Sequence, residues 1–174
     1  MGESQNHEKV TLRALEPEDL DLFYRIENDE SLWRFGPTNV PYSRFVLHQF
    51  MADTTGDIYT DKQVRLVIED AGHHVVGMAD IMSFDPKNQK AEVGIVILGQ
   101  YRQKGFAREA MKQIQCYARD TLHLHQMYAV VSVNNTVSLH LFQQLGFRQS
   151  GILSDWLFDG STYHDAVILQ QSLG

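Results

Sequence analysis

Residues 91–98 read AEVGIVIL, a nearly continuous run of aliphatic and β-branched side chains. Such a run predicts a strand that is buried on both faces of a sheet. The segment YRQKGFA, residues 101–107, follows at once. Apolar residues then recur at helical spacing, at Ala107, Ala110, Met111, Ile114 and Ala118. A buried strand that leads through a glycine turn into an amphipathic helix is typical of a layered α/β domain.

The rest of the chain predicts six more strands and three more helices. The strands are expected at 10–15, 63–70, 74–84, 126–133, 150–160 and 161–173. The helices are expected at 16–29, 43–52 and 134–147, with Phe45, Val46, Gln49 and Phe50 on one face of the second, and Val137, Leu141 and Leu145 on one face of the third. This order indicates a mixed α/β sheet, in which ligands bind beyond the carboxyl ends of the strands.

Composition limits the classes of function. The chain has 174 residues, 43% of them apolar, which favours a single domain over residues 1–174. A formal net charge of -7 argues against a nucleic-acid partner. No segment approaches the roughly 20 apolar residues that span a bilayer, and the N-terminus MGESQNHEKV lacks a signal-peptide pattern. We therefore expect a cytoplasmic protein with neither a membrane nor a nucleic-acid partner.

Two smaller expectations concern cysteine and metals. The lone Cys116 falls within an amphipathic run and is expected to be a buried small side chain. The eight histidines show no spacing with each other or with cysteine that would predict a metal site.

The segment YRQKGFA has the properties of an anion site. The first backbone N–H groups of a helix have no intrahelical partner, and the helix dipole places partial positive charge there. Gly105 allows a positive φ or a close approach to a ligand, and Arg102 and Lys104 add full charges. These residues predict phosphate binding, although a plain turn with a solvated arginine and lysine accounts for them too.

Two motifs match one known family. Arg102, Gly105 and Ala107 fit the [Gln/Arg]-x-x-Gly-x-[Gly/Ala] motif of the GNAT superfamily of N-acetyltransferases, between a strand and a helix as that family requires. Downstream, NNTVSLHLFQQLGF resembles the second signature of the family, whose positions are taken by Asn135, Ser138, Phe142, Gly146 and Phe147. The opening VTLRALEPEDL also resembles the branch that contains spermidine and ribosomal-protein alanine acetyltransferases.

The resemblance covers nearly the whole chain and implies both a fold and a donor. The implied fold is a central, mostly antiparallel seven-stranded sheet flanked by about four helices, and the implied donor is acetyl-CoA. The pantetheine arm would pair with the main chain of Gly94, Ile95, Val96 and Ile97. The pyrophosphate would sit on the N–H groups of Arg102, Gln103, Lys104, Gly105, Phe106 and Ala107. The strand before Asn134 would splay from its neighbour and open a slot for the thioester.

Acetyl transfer to an amine requires a base, because a lysine-like amine with a pKa of about 10.4 is protonated at neutral pH. Glu92 is the candidate, as the only carboxylate in the run AEVGIVIL; Asp80 on the neighbouring strand is a weaker one. A solvated carboxylate at a strand end is the alternative interpretation of Glu92. Asn135 is expected to hydrogen-bond CoA or a water, to cap the following helix, or to do both.

Phe142 departs from the family pattern. Many relatives have a tyrosine at this position, which donates a proton to the departing sulfur, and phenylalanine cannot donate. Three interpretations stay open at this point. The thiolate leaves unprotonated; or Tyr163, Tyr128 or His140 replaces the donor; or the chain binds acetyl-CoA and catalyses poorly. In the first two, Phe142 packs against the CoA arm or the core.

The acceptor is expected to bind between the N-terminal helices and the last strands. Acids and aromatics there are suited to an ammonium group through ion pairs and cation–π contacts, and the candidates are Glu27, Trp33, Tyr42, Asp80 and Asp155. A solvated helix end with core aromatics explains the same residues.

The favoured function is direct acetyl transfer to a small polyamine-like amine, with a protein N-terminus as the alternative acceptor. An acyl-CoA-binding regulatory module and a plain interaction domain are the rival classes. A homo-oligomer is compatible with all of these.

Overall fold

A computed structural model describes residues 10–35 and 38–174 of the chain. The prediction made for the polar N-terminus falls on residues 1–9, and part of the predicted acceptor segment falls on Gly36 and Pro37; both lie outside the described residues. The seven predicted strands are present as β1 (Thr11–Ala14), β2 (Val64–Glu69), β3 (Val75–Asp85), β4 (Lys90–Ile97), β5 (Gln126–Ser132), β6 (Arg148–Phe158) and β7 (Tyr163–Ser172).

All seven strands form one sheet, in the order β1-β2-β3-β4-β5-β7-β6. Neighbouring strands are antiparallel except for β4 and β5, which run parallel. The predicted mixed sheet, seven-stranded and mostly antiparallel, is therefore confirmed. The parallel step requires a crossover connection, which the helix after β4 supplies.

The parallel pair β4 and β5 separates soon after it begins. The two strands are in register at Lys90 with Gln126, Ala91 with Met127, and Glu92 with Tyr128, and the register ends there. β4 nevertheless continues to Ile97, paired with β3 on its other side. The carboxyl-terminal half of β4 thus has one edge without a neighbouring strand, which is the splay that the family resemblance implies.

The part of the chain that the structure describes has six α-helices beside the sheet: α1 (Leu20–Glu27), α2 (Glu30–Trp33), α3 (Arg44–Asp53), α4 (Ile58–Asp61), α5 (Phe106–Asp120) and α6 (Thr136–Gln144). Four of them have eight or more residues, as expected, and α2 and α4 are single turns. Helices α1 and α3 pack on one face of the sheet, around Leu22, Phe23 and Leu47. Helices α5 and α6 pack on the other face, over the larger core. The two faces differ because successive strand residues point to opposite sides.

Two predicted helix faces are wrong in detail. The face expected on α3 points outward, with Phe45 71% exposed, because the stripe of Leu47 and Met51, one turn apart, packs on the core instead. On α6, Val137 is 80% exposed in the first turn, and the buried stripe runs through Phe142 and Leu145. Gly146 follows α6 with φ of 93°, a conformation that commonly ends helices and that glycine adopts without strain.

Two burial predictions are also corrected. β4 is fully buried on one face only, at Ala91 and Val93, and it is partly exposed from Gly94 to Ile97. The splay from β5 explains this, because it uncovers that half of the strand. Cys116 is exposed rather than buried, since α5 turns Ile114 and Ala118 toward the sheet and Cys116 away from it.

Candidate active site

The loop between β4 and α5 presents backbone donors to solvent. A 3-10 turn at Gly99–Tyr101 is followed by positive φ at Gln103 (62°) and at Gly105 (84°), which immediately precedes α5. The first backbone bond of the helix is donated by Glu109 to Gly105, so the amides of Phe106, Ala107 and Arg108 have no partner within it. Such a concave run of amides binds anions.

The side chains of this loop leave its donors accessible. Arg102 donates through Nε to the Ile97 carbonyl at 3.0 Å, which ties the guanidinium to the end of β4. The Nζ of Lys104 lies 5.5 Å from the centre of the Tyr101 ring. A Cβ placed on Gly105 would meet no atom within 4 Å, so glycine is needed here for its φ and leaves the space above the loop open. The predicted cradle, Arg102–Ala107, therefore has the shape and charge to hold a pyrophosphate.

Glu92 lies at the closed end of the slot between β4 and β5. It belongs to the last register pair before the strands diverge and is half-buried. Burial raises the pKa of its carboxyl above the ordinary value. Within the described residues it forms no salt bridge, unlike Glu27, Asp80 or Glu69. A desolvated, unpaired carboxyl at the end of a cleft has the properties of a general base.

Tyr128 is the register partner of Glu92 on β5, and the sequence offered it only as one of several hydroxyls. Paired residues on adjacent strands project from the same face, so the two side chains lie side by side. Burial, and then the negative charge of Glu92, raises the pKa of the Tyr128 phenol, while a hydrogen bond with the Ser83 side chain acts in the opposite direction. The sequence alone did not show that Tyr128 lies next to Glu92, because the register of two parallel strands from distant segments leaves no local pattern.

Two of the predicted acceptor residues are brought together by a residue that the sequence did not single out. Arg65 on β2 binds Asp80 on β3 through Nε at 2.6 Å and Glu27 on α1 through Nη1 at 2.7 Å. Its guanidinium also lies 4.7 Å from the centre of the Phe23 ring. One arginine and two carboxylates leave this cluster with one net negative charge. Asp80 is in register with Gly94, so the cluster lies on the same face as Glu92, one step along the strand.

Trp33 and Tyr42 are held near this cluster by main-chain contacts. Trp33 donates through Nε1 to the Glu27 carbonyl at 3.0 Å. Asn28 binds both main-chain groups of Tyr42, accepting from its N–H at 2.7 Å and donating to its carbonyl at 3.0 Å. Four of the five predicted acceptor residues thus lie around the end of α1 and the adjoining part of the sheet.

A cavity of about 180 Å³ adjoins this region at the carboxyl end of β4. It is lined on one side by α1 and α2, including Arg25, Ile26 and Asp29, and on the other by Val96 and Arg102. The cavity therefore lies between helices α1 and α2 and the start of the loop that joins β4 to α5.

Asp155, the fifth predicted acceptor residue, lies elsewhere, at a bulge in the edge strand β6. Its φ is 50°, and its backbone N–H donates to the Asp165 carboxylate at 2.9 Å. Nearby, His164 contacts Asn134 through Nδ1 at 3.0 Å and Asp159 through Nε2 at 2.5 Å. These contacts join the β6–β7 turn to the β5–α6 junction.

Asn135 and Phe142 have structural positions on α6. The Asn135 side chain accepts from the Ser138 N–H at 3.2 Å, which makes it the N-cap of the helix. Phe142 is 3% exposed and packs edge-on against Phe147, with ring centres 5.0 Å apart. The aromatic ring therefore belongs to the core beneath α6.

Among residues 10–35 and 38–174, no group of three or more histidine, cysteine, aspartate or glutamate side chains is arranged to hold a metal ion. No helix in the same part of the chain is long and apolar enough to cross a membrane.

The model of the acetyltransferase (GNAT) domain family matches residues 9–148, which include the slot, the anion-binding loop and Glu92. The chain belongs to this family. It is an N-acetyltransferase whose acetyl donor is acetyl-CoA.

GNAT relatives of named activity resemble the chain over most of their length. A spermidine N(1)-acetyltransferase of Escherichia coli is 30% identical over 91% of this chain and 83% of its own. A crystal structure of spermidine N-acetyltransferase from Vibrio cholerae in complex with CoA and spermine superposes with a TM-score of 0.86 at 28% identity, covering 95% of this chain and 96% of that one. A dodecameric structure of spermidine N-acetyltransferase from the same organism superposes with a TM-score of 0.80 at 28% identity, covering 95% and 94%.

Proposed function

We propose that this GNAT enzyme transfers the acetyl group of acetyl-CoA directly to a primary amine of a polyamine-like small molecule. The observation that supports this most is the slot between β4 and β5, with the unpaired carboxyl of Glu92 at its closed end. Four acceptor candidates, Glu27, Trp33, Tyr42 and Asp80, lie around the sheet face that Glu92 shares.

The donor would approach along the loop and strand described above. Its pyrophosphate would be held by the amides from Arg102 to Ala107, and its pantetheine arm would pair with β4 from Gly94 to Ile97. Asn135, at the cap of α6, would border the same slot, and Phe142 would support its wall from the core. A backbone N–H on β4 would stabilise the charge that develops on the carbonyl oxygen.

The acceptor would meet a face with an excess of negative charge. Glu92 is unpaired, and the cluster of Arg65, Glu27 and Asp80 retains one negative charge. A polyamine has several ammonium groups at neutral pH. One amine would lose its proton to Glu92 and attack, while another would bind the cluster. The naming of relatives for spermidine supports this acceptor class.

A thiol-release assay with a panel of amines tests the proposal. Spermidine and spermine should give turnover, with kcat/KM at least about tenfold above that for free lysine or an alanine-led peptide, because one lost charge contact is worth about 1.4 kcal/mol. Substitution of Glu92 by glutamine should abolish most turnover in every case. Turnover with the peptide and none with either polyamine would overturn the proposed acceptor and leave the acetyl donor untouched.

The organisation of the chain is proposed as well. All seven strands belong to one sheet, which supports a single domain over residues 1–174. The dodecameric relative supports assembly of this chain into a homo-oligomer. Light scattering on the purified protein should therefore give a mass of at least twice the 19.9 kDa of one chain.

A further inference from the structure

We propose that Tyr128 is the catalytic acid that gives a proton to the sulfur of CoA, in place of the hydroxyl that Phe142 lacks. The inference rests on the proposed function, because it assumes acetyl transfer in the slot between β4 and β5. It assigns the second half of the proton transfer, whereas Glu92 serves the first.

The position of Tyr128 follows from strand register. Glu92 and Tyr128 form the last pair before the parallel strands diverge, so both side chains stand where the slot closes. A thioester at this end of the slot would have β4 on one side and β5 on the other. Its carbonyl carbon and sulfur would then lie between a carboxyl on the first strand and a phenol on the second.

The surroundings of Tyr128 keep its proton in place. Burial and the charge of Glu92 hold the pKa of the phenol above its ordinary value of about 10, so Tyr128 is protonated at neutral pH. Polar groups near Tyr128 on this face include Ser83, whose side chain hydrogen-bonds the phenol, and Gln170 opposite Tyr128 on β7, with Arg148 next to Gln170 on β6. Lys90 and Gln126 lie one step toward the start of the strands, and the pair Asp80 and Arg65 lies one step beyond Glu92. Gln170 is engaged with Gln126 at 2.9 Å, and Arg65 is engaged with carboxylates.

The other proposed donors lie outside the slot. Tyr163 is 65% exposed at the β6–β7 turn, where its ring packs against Phe158. His140 is exposed on α6 and contacts the side-chain amide of Gln144 at 2.9 Å. Phe142 occupies the core below the opposite face of the sheet. Of the hydroxyl and imidazole groups considered, Tyr128 alone is next to the proposed base.

The proton balance closes with these two residues. Glu92 first takes the ammonium proton and releases it to solvent, and the free amine nitrogen then bonds to the thioester carbon. Glu92, ionised again, takes the second proton that the nitrogen loses as the amide forms. As the carbon–sulfur bond breaks, the sulfur takes the phenolic proton of Tyr128. The phenolate recovers a proton from Glu92, so an amide and a CoA thiol are formed and both side chains return to their starting state.

The first test replaces Tyr128 by phenylalanine, which keeps the ring and removes the hydroxyl. The kcat for a polyamine should fall about a hundredfold or more, as is typical for loss of a general acid, while the Kd for acetyl-CoA stays within twofold. Tyr163→Phe and His140→Gln are the matched controls and should retain turnover. Wild-type turnover with any amine is measured first. Its absence would reject the proposed function, whereas full activity of Tyr128→Phe beside an active wild type would reject only the role of Tyr128.

A second measurement separates an acid from a structural hydroxyl. A fluorinated tyrosine at position 128 keeps the shape of the side chain and lowers the pKa of its phenol. The alkaline limb of the pH profile of kcat should then move to lower pH, because the acid loses its proton earlier. A profile that coincides with that of the wild type would overturn the assignment even if Tyr128→Phe were inactive.

Discussion

At the scale of the residue, Glu92 couples activity to a cost in stability. Burial raises the pKa of its carboxyl in the folded protein, so the folded state favours the protonated form. Stability linked to this group is full below the unfolded pKa of about 4.3 and is lost as pH rises through the folded value. At neutral pH the ionised carboxylate therefore destabilises the folded protein. A neutral side chain would avoid this cost, but it could not accept a proton from the amine.

Glu92→Gln should lower kcat by about a hundredfold and raise Tm by up to about 2 °C at pH 7, a small gain because the group is half-exposed. The gain in Tm should vanish near pH 4, where glutamate is neutral as well. Thermal melts at both pH values check this, beside the thiol-release assay. A lower Tm at pH 7 would show that the carboxylate has a stabilising partner.

Gly105 is the second residue whose chemistry can be tested alone. Its φ of 84° costs a side-chain-bearing residue about 1–2 kcal/mol, although a Cβ there would meet nothing. Gly105→Ala should weaken acetyl-CoA binding about tenfold, because relief of the strain reorients the amides before α5. Gly56→Ala is the matched control, with φ of 75° and equally open space, and it should cost stability without a change in acetyl-CoA Kd. If Gly105→Ala and Gly56→Ala changed the Kd for acetyl-CoA equally, the proposal that residues 102–107 hold the pyrophosphate would be rejected.

At the scale of the element, Arg65 joins α1 to the two strands β2 and β3. Its guanidinium is about one-quarter exposed and binds Glu27 and Asp80, so removing it leaves two carboxylates facing each other. Arg44 offers a close comparison, because it also stacks on a ring, Tyr24, but its ion pair with Asp21 is exposed. The two arginines differ mainly in how far their partners are from water.

Arg65→Gln should lower the free energy of unfolding by about 2–3 kcal/mol, since unpaired carboxylates in a partly buried site are costly. Arg44→Gln should change the free energy of unfolding far less, because exposed ion pairs contribute little to stability. Urea titration of each variant gives the comparison, with an unchanged m-value as the sign that the fold is retained. Losses of equal size would mean that the Arg65 cluster is as well solvated as a surface pair.

The order of elements was predictable from the sequence because each depends on local periodicity and turn residues. β2 and β3 were expected at 63–70 and 74–84, and α6 within 134–147, and all three elements are observed there to within two residues or so at most ends. The outward direction of Phe45 was not predictable from spacing, because Leu47 and Met51 form a second apolar stripe on α3 and it is this stripe that packs on the core. Local patterns do not carry that information.

The same distinction between local and long-range contacts applies to the candidate site. The anion-binding loop is contiguous in sequence, so its motif and its geometry coincide at residues 102–107. Glu92 and Tyr128 are 36 residues apart in the chain, and Arg65 binds Glu27 across 38 residues. Such contacts depend on strand register and long-range packing, which leave no periodic trace in the sequence.

At the scale of the whole molecule, acetyl-CoA should bind across several elements and so stabilise the entire fold. Its proposed contacts extend from β4 through the loop to α5 and to the cap of α6, elements that all pack on the larger core. A ligand that binds only the folded state stabilises it by RT ln(1 + [L]/Kd), about 2.7 kcal/mol at a hundred times the Kd. For a chain of this size that is a rise in Tm of roughly 5–10 °C.

The rise in Tm caused by acetyl-CoA should depend on the pyrophosphate if the loop after β4 binds that group. S-acetyl-pantetheine keeps the thioester and the arm that pairs with β4, but it lacks the pyrophosphate and the nucleotide. At equal concentration it should raise Tm by less than half as much as acetyl-CoA, and Gly105→Ala should reduce the acetyl-CoA shift while leaving the smaller one unchanged. Equal shifts for the two donors in the wild type would place the binding energy on β4 alone and remove the anion-binding role of the loop.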